Sequence, residues 1–248
     1  MKIVVTGASA GIGYSTCKLL LESGHEVIGI ARRESRLLEL KEFGSDKFSY
    51  FVADVGNLEV INKIISDNIK VFEEVDVLVN NAGLASGMEK APKSEWEDWA
   101  VMIQTNVVAL ANFTHKILPL MIKKDSGYII NMGSISGTHC YPGSNVYGAT
   151  KAFVKQFSLN LRADILGSRV RVTNIEPGIC GDSEFSNVRF KQDDTKVETY
   201  YKGLDYLQPI DIANTVLWLI NQPQRFNVNS IEIMPTDQAF AGLATHRR

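Results

Sequence analysis

Short runs of apolar, β-branched residues recur along the chain, and amphipathic stretches fill the gaps between them; this alternation restricts the fold more than any other feature. The runs are "KIVVT" from Lys2, "EVIGI" from Glu26, "FSYFVA" from Phe48, "VDVLVN" from Val75, "GYIINM" from Gly127, "VRVTNI" from Val170 and "SIEIM" from Ser230. Most are continuously apolar instead of alternating, the pattern of strands covered on both faces in a parallel sheet. Helical periodicity predicts helices over 12–23, 58–72, 96–122, 146–166 and 210–221. The β-α-β order implies an α/β fold, a Rossmann-type doubly wound parallel sheet of about seven strands with helices on both faces. Ligands of such sheets sit beyond the carboxyl ends of the strands.

At 248 residues, with no repeat or linker, the chain is expected to form a single domain over 1–248. Its 45% hydrophobic and 22% charged residues are those of an ordinary globular protein. A net charge of −2 gives no electrostatic reason to expect nucleic acid or an anionic membrane as partner. No apolar run is long enough for a membrane helix, and "MKIVVTG" enters a strand at once without a signal peptide, so the expected location is the cytoplasm. Cys17, Cys140 and Cys180 are odd in number and widely spaced, which fits reduced thiols. The four histidines show no metal-ligand spacing, so no metal is expected.

The first strand runs into "TGASAGIG", which opens the first helix. Gly7, Gly11 and Gly13 permit a tight turn, close approach to a pyrophosphate and close helix packing. Gly7, Ala8, Ser9, Ala10, Gly11 and Ile12 are thus candidate dinucleotide contacts, with the free N–H groups of the helix start facing the phosphates. Where an acidic residue would meet an adenosine ribose, this chain has Arg32 and Arg33. Guanidinium groups match a phosphate and a carboxylate would repel one, so the expected cofactor is NADP, although Glu34 follows directly. After the third strand Asp54 and Val55 are placed for the adenine; after the fourth, Asn81, Ala82 and Gly83 of "NNAG" are placed for the ribose.

Tyr147 and Lys151 in "NVYGATKAF" lie four residues apart on a predicted helix, but so do Tyr14 and Lys18. Spacing alone therefore decides nothing. A free tyrosine is a poor base at neutral pH, and a cation on the same helix face favours its phenolate. Tyr14 and Lys18 directly follow the glycine turn with no other acid-base group nearby, so their spacing reads as accidental. Ser134, thirteen residues before Tyr147, ends the fifth strand and is placed to hold a substrate oxygen.

The set "TGxxxGIG", "NNAG", Asn106, Ser134, Tyr147, Lys151 and "PG" at Pro177 and Gly178, in this order across the whole chain, resembles the short-chain dehydrogenase/reductase family. The resemblance implies proton transfer by Tyr147, assisted by Lys151, while a nicotinamide exchanges hydride. It implies that Asn106 holds a water relaying the proton from Lys151, and that Pro177, Gly178, Ile179 and Ser183 contact the cofactor. Gly133 precedes the serine where the family has a small hydroxyl residue, and Ser183 stands where it often has threonine, which makes that contact less secure. The runs "NNAGLASGMEKA", "NVYGATKAFVKQFSLNLRADILG" and "IEPGICGDSEFSNVRFKQDD" resemble members that act on small 3-hydroxy acids. That implies L-allo-threonine, L-serine or 3-hydroxypropionate as substrate, or malonic semialdehyde in reduction. The family habit is a homotetramer, and the apolar run "QAFAGLA" is a candidate subunit contact.

The segment 177–203, rich in Gly, Asp and Ser, breaks the β-α rhythm and reads as a lid or, alternatively, as an inert surface excursion. Its cations are Arg189 and Lys191; Arg189 is the candidate partner of a substrate carboxylate, against the alternative of a solvated loop arginine. Two other functions compete. A 3-oxoacyl thioester reductase would use the same catalytic group but a basic docking surface, of which only Lys123 and Lys124 are seen; a non-catalytic dinucleotide sensor would have lost Ser134, Tyr147 or Lys151.

Overall fold

The computed structural model describes residues 1–239. Seven strands form one parallel sheet in the order β3-β2-β1-β4-β5-β6-β7. They are β1 (Lys2–Thr6), β2 (Glu26–Ala31), β3 (Phe48–Val52), β4 (Val77–Asn80), β5 (Gly127–Met132), β6 (Val170–Pro177) and β7 (Ser230–Ile233). Strand order reverses between β1 and β4, which opens a crevice beyond their carboxyl ends.

Successive strand residues feed opposite cores. Ile3 and Val5 pack into one and Val4 into the other; Val77 and Val79 oppose Leu78 in the same way. Both faces are buried, so both phases of each strand must be apolar. One face is covered by α1 (Gly11–Glu22), α2 (Glu34–Gly44) and the late helix at 209–220; the other by α3 (Leu58–Asp67), α4 (Ile69–Glu73), α6 (Leu110–Lys124) and α7 (Asn145–Asp164), while α5 (Trp96–Ile103) packs through Met102 and Trp99 beside Tyr147 of α7.

The structure departs from the periodicity in three places. The segment 58–72 is two helices, divided at Asn68, whose side chain donates to the Ile64 carbonyl at 2.9 Å and so competes with the helix ladder. The segment 96–122 contains a π-helical stretch at Gln104–Ala109 between α5 and α6. Helix α2 was not foreseen: its sequence is mostly polar and buries only Leu37 and Leu40, three residues apart. Both leucines are fully enclosed, worth about 2 kcal/mol each.

Beyond β6 the segment 177–203 folds into α8 (Phe185–Arg189) and α9 (Asp194–Tyr201), followed by α10 (Pro209–Ile220). It is tied down at several points: the Gly87 N–H donates to the Arg189 carbonyl at 2.9 Å, Lys191 pairs with Asp98 at 2.8 Å, and Arg33 pairs with Glu184 at 2.7 Å. The expected subunit-contact run "QAFAGLA" lies, from Phe240 on, outside the described residues. Among the described residues no helix is long and apolar enough to cross a membrane, and no cluster of His, Cys, Asp or Glu is arranged to hold a metal ion. Cys17, Cys140 and Cys180 are free thiols.

Candidate active site

A cavity of about 580 Å³ runs along the carboxyl ends of the strands, from the β1–α1 turn to the underside of α8 and α9. Of the site residues singled out from the sequence, all but Ala8 and Asn106 line it.

At one end the glycine turn is shaped for close approach. Gly7 has φ +70°, and a Cβ there would stand 2.9 Å from the Asn81 amide nitrogen; Gly11 has φ +47°. The residue capping α1, Ala10, has no side-chain acceptor, and the first turn carries no acid, so its N–H groups stay open to an anion. Asn81 fastens β4 to β1 by donating its side-chain N–H to the Thr6 carbonyl at 2.9 Å. Ala8 is the exception in this turn. Its side chain is fully buried in the core and its N–H donates to the Ile30 carbonyl at 3.3 Å, so it faces away from the cavity.

Both arginines after β2 reach the same end. Arg33 donates to the Ser9 carbonyl at 3.2 Å and to Glu184 of the segment above at 2.7 Å; Arg32 is largely exposed, 3.8 Å from Asp54. Ser183 packs against Gly11, where an added Cβ would come within 2.8 Å of it. Ile179 lines the cavity, but its N–H is already taken by Gln238 Oε1 at 2.8 Å. An open helix start, a glycine turn that side chains would obstruct and two guanidinium groups fit a phosphorylated dinucleotide.

At the other end Ser134, Tyr147 and Lys151 meet. Ser134 follows β5, and the turn after it packs so tightly on α7 that a Cβ on Gly137 would lie 2.7 Å from the Lys151 backbone. This contact sets the serine against the helix carrying Tyr147 and Lys151. Lys151 is buried, donates from Nζ to the Met132 carbonyl at 2.8 Å, and has its pKa lowered by burial to about 8. Tyr147 is also buried, its ring edge-on to Phe185 at 5.8 Å.

The phenol of Tyr147 is pushed up to about 12 by burial; the Ser134 hydroxyl and the Arg189 charge pull the other way. Desolvation outweighs the lysine, whose nitrogen stands 5.8 Å from the ring centre and is held by a carbonyl.

Asn106 lies in the π-helical stretch, 1% exposed and behind the cavity wall. Its amide donates to the Leu84 carbonyl at 2.8 Å and to Thr150 Oγ1 at 3.0 Å, and its oxygen accepts from the Leu84 N–H at 2.9 Å. Its two N–H groups are spent on protein partners, which leaves one lone pair on Oδ1 for a water. A Cβ added at Gly83 would be 3.2 Å from that oxygen and 3.4 Å from Lys151 Nζ, so both groups face the same small space.

Arg189 closes the site from above. It is 5% exposed, donates to the Tyr141 hydroxyl at 2.6 Å, and its buried Nε has no hydrogen-bond partner among the described residues. Burial works against its charge, but Tyr141, Tyr200 and Tyr147 together hold its pKa above the ordinary value. Lys191, the other cation of the segment, is occupied by Asp98 and does not line the cavity. Sequence reading missed Ser136, Tyr141, Glu184 and Tyr200, which line the cavity as well. Ser136, two residues after Ser134, carried a signal; the others come from the loop before α7 and from the α8–α9 segment, which only tertiary folding brings together.

Tyr14 and Lys18 have unrelated surroundings. Tyr14 lies under Arg36 and Lys18 over Phe43, both against α2.

A parallel sheet in this order, with an anion-binding glycine turn at one end of a cavity and a serine, tyrosine and lysine at the other, defines a dinucleotide-dependent oxidoreductase. The chain belongs to the short-chain dehydrogenase/reductase family: the family described as short chain dehydrogenase matches residues 1–194. The NADP-dependent 3-hydroxy acid dehydrogenase of Escherichia coli K12 is 47% identical over 248 residues, covering 100% of both chains. The serine 3-dehydrogenase of Agrobacterium fabrum is 41% identical over 245 residues, 99% of this chain and 98% of that one. A solved structure described as the closed form of serine dehydrogenase complexed with NADP+ superposes with a TM-score of 0.97, at 47% identity and full coverage of both chains.

Proposed function

We propose that this chain, as one NADP-binding domain, oxidises the 3-hydroxyl of small 3-hydroxy acids such as 3-hydroxypropionate, L-serine or L-allo-threonine, and in reverse reduces a 3-oxo acid such as malonic semialdehyde. The observation that carries this reading is Arg189: a buried guanidinium with an unpartnered N–H, in the same cavity as Ser134 and Tyr147. A substrate with a carboxylate at one end and a hydroxyl at the other satisfies both ends of that space.

The glycine turn and the start of α1 hold the pyrophosphate, Arg33 and Arg32 the 2′-phosphate, Asp54 and Val55 the adenine, and Asn81 to Gly83 with Pro177 to Ile179 and Ser183 the remainder. The bound nicotinamide supplies the acceptor for the hydride leaving C3. Ser134 orients the substrate oxygen, and Tyr147 accepts the hydroxyl proton as the O–H bond breaks. Lys151 passes charge and proton onward through the space it shares with Asn106. The NADP-dependent and serine-dehydrogenase relatives support both cofactor and substrate class.

The test is a spectrophotometric panel following NADPH formation with 3-hydroxypropionate, L-serine and L-allo-threonine, with NAD as control. Turnover of the acids with NADP is expected; activity confined to NAD, or to acyl thioesters in the reducing direction, overturns the reading. By family resemblance we also infer a cytoplasmic homotetramer, which light scattering on the purified protein checks; a monomer contradicts it.

A further inference from the structure

One carboxylate holds both ends of the turn that carries Ser134. Glu176, on β6 directly before Pro177, is 1% exposed. Its Oε2 accepts from Thr138 Oγ1 at 3.0 Å and from Lys155 Nζ at 3.1 Å; its Oε1 accepts from Asn174 Nδ2 at 3.0 Å and from Ser230 Oγ. Lys155 also donates to Thr138 Oγ1 at 2.8 Å, which closes a triangle. A carboxylate has about four lone-pair sites, so these partners use its whole accepting capacity.

Thr138 stands at the far end of the turn, just past Ile135–Gly137, and its N–H donates to the Ile135 carbonyl at 2.9 Å. Asn174 reaches the near end. Because its N–H is given to Glu176, its oxygen is turned toward Gly133, where an added Cβ would overlap it. That oxygen has no hydrogen-bond partner among the described residues. Asn174 thus fills the space of a side chain at 133, which accounts for the glycine standing where the family has a small hydroxyl residue. The Gly133 N–H is tied to the Ile175 carbonyl at 2.7 Å. Lys155 lies one helical turn beyond Lys151 on α7. Ser134 therefore sits between two anchored residues, and both anchors lead through Glu176 to the helix that carries Tyr147 and Lys151. The Gly137 contact with the Lys151 backbone fixes the middle of the turn; the Glu176 links fix its ends.

We propose that Glu176 is a positioning residue: it sets the Ser134 turn against α7 and so fixes where the Ser134 hydroxyl stands relative to Tyr147. A misplacement of about 1 Å at a reacting group costs up to about a hundredfold in rate. Glu176 does not line the cavity, so it acts only through the residues it holds. The role rests on the part proposed above for Ser134, but not on which acid is the substrate.

The test uses the full-length enzyme with Glu176→Gln and Thr138→Val, each made in the parent and in Ser134→Ala. Glu176→Gln keeps the shape but turns an NH2 group toward donors on one side. Thr138→Val, at an exposed position, cuts only the far link and decides the question if Glu176→Gln does not fold. All are assayed with 3-hydroxypropionate and with 1,3-propanediol, which keeps the reacting hydroxyl and lacks the carboxylate. We expect kcat to fall about tenfold in Glu176→Gln and about threefold in Thr138→Val, and neither to cost anything further once Ser134 is alanine. NADPH affinity, read by fluorescence titration, should stay within about twofold of the parent. A carboxylate that only supports the fold would lower kcat by the same factor with or without the Ser134 hydroxyl. That result overturns the proposal, as do unchanged kcat values or a parallel loss of NADPH affinity. An undiminished kcat in Ser134→Ala alone refutes instead the site reading on which the proposal rests. An enzyme that oxidises the diol but no hydroxy acid refutes the substrate reading, and the diol series still decides the role of Glu176.

Discussion

The guanidinium of Arg189 lies 5.6 Å from the centre of the Tyr147 ring, as near as the Lys151 ammonium at 5.8 Å. Two cations thus flank the phenol, one from its own helix and one from the segment folded over the site. Of the two, Arg189 is the one that draws the Tyr147 pKa down against burial. Chain closure over the cavity and readiness of the phenol are linked through this contact.

Replacing Arg189 by Met is expected to have two effects. KM for a hydroxy acid rises roughly tenfold to a hundredfold through loss of charge-assisted hydrogen bonds. In oxidation Tyr147 works as phenolate, and removing a cation disfavours the phenolate. The acid limb of the pH–rate profile should therefore move to higher pH, by about one unit. Steady-state profiles on the variant and parent check both, and a KM effect with an unmoved limb contradicts the electrostatic part.

Tyr147→Phe keeps the ring that packs edge-on against Phe185 and removes only the hydroxyl. The expected result is a fall in kcat of about 10²- to 10⁴-fold with NADP binding retained. Stopped-flow hydride transfer together with a fluorescence titration of NADPH separates the two; a parallel loss of cofactor binding would mean that the hydroxyl serves the fold or the cofactor site instead.

How far the sequence reveals this site follows from the physics of each part. The strands are legible because both faces are buried, as the split of Ile3, Val4 and Val5 between two cores shows. The glycine turn is legible because only glycine tolerates its backbone and the approach of Asn81. Arg189 was visible as a lid cation, but its burial was not, because it depends on Tyr141 and Tyr147 meeting across a distance in sequence. The same holds for Glu184: nothing local foretells that it reaches Arg33. Helix α2 escaped because it rests on two leucines in an otherwise polar run. The desolvation of Tyr147 is hidden in the same way, because the four-residue spacing to Lys151 carries no information about burial.

The pair between Arg33 and Glu184 joins two side chains that are 42% and 56% exposed. A pair so open to solvent contributes at most about 1 kcal/mol, so the more highly charged 2′-phosphate competes for the guanidinium without difficulty. Arg33→Ala should lower kcat/KM for NADP by about a hundredfold and leave that for NAD within a few-fold. Glu184→Gln should change either value little. If Arg33→Ala weakens both cofactors equally, the arginine serves the glycine turn through Ser9 and not the phosphate.

Burial of Lys151 makes stability depend on pH in a definite direction. Its folded pKa, about 8, lies below the ordinary value of 10.5. The unfolded chain therefore holds more protons than the folded one between these values, and stability rises with pH across that window. Below about pH 8 the ammonium is charged in both states and the folded protein bears the full desolvation cost, of order 3 kcal/mol. Lys151→Met has a similar volume and no charge to bury, although it leaves the Met132 carbonyl without its donor. The variant should be catalytically crippled yet melt at higher temperature than the parent at pH 7, with the difference shrinking as pH approaches 10. Calorimetry at several pH values measures this. A stability gap that does not change between pH 7 and 10 would show that packing or the lost carbonyl contact, and not the buried charge, controls the effect.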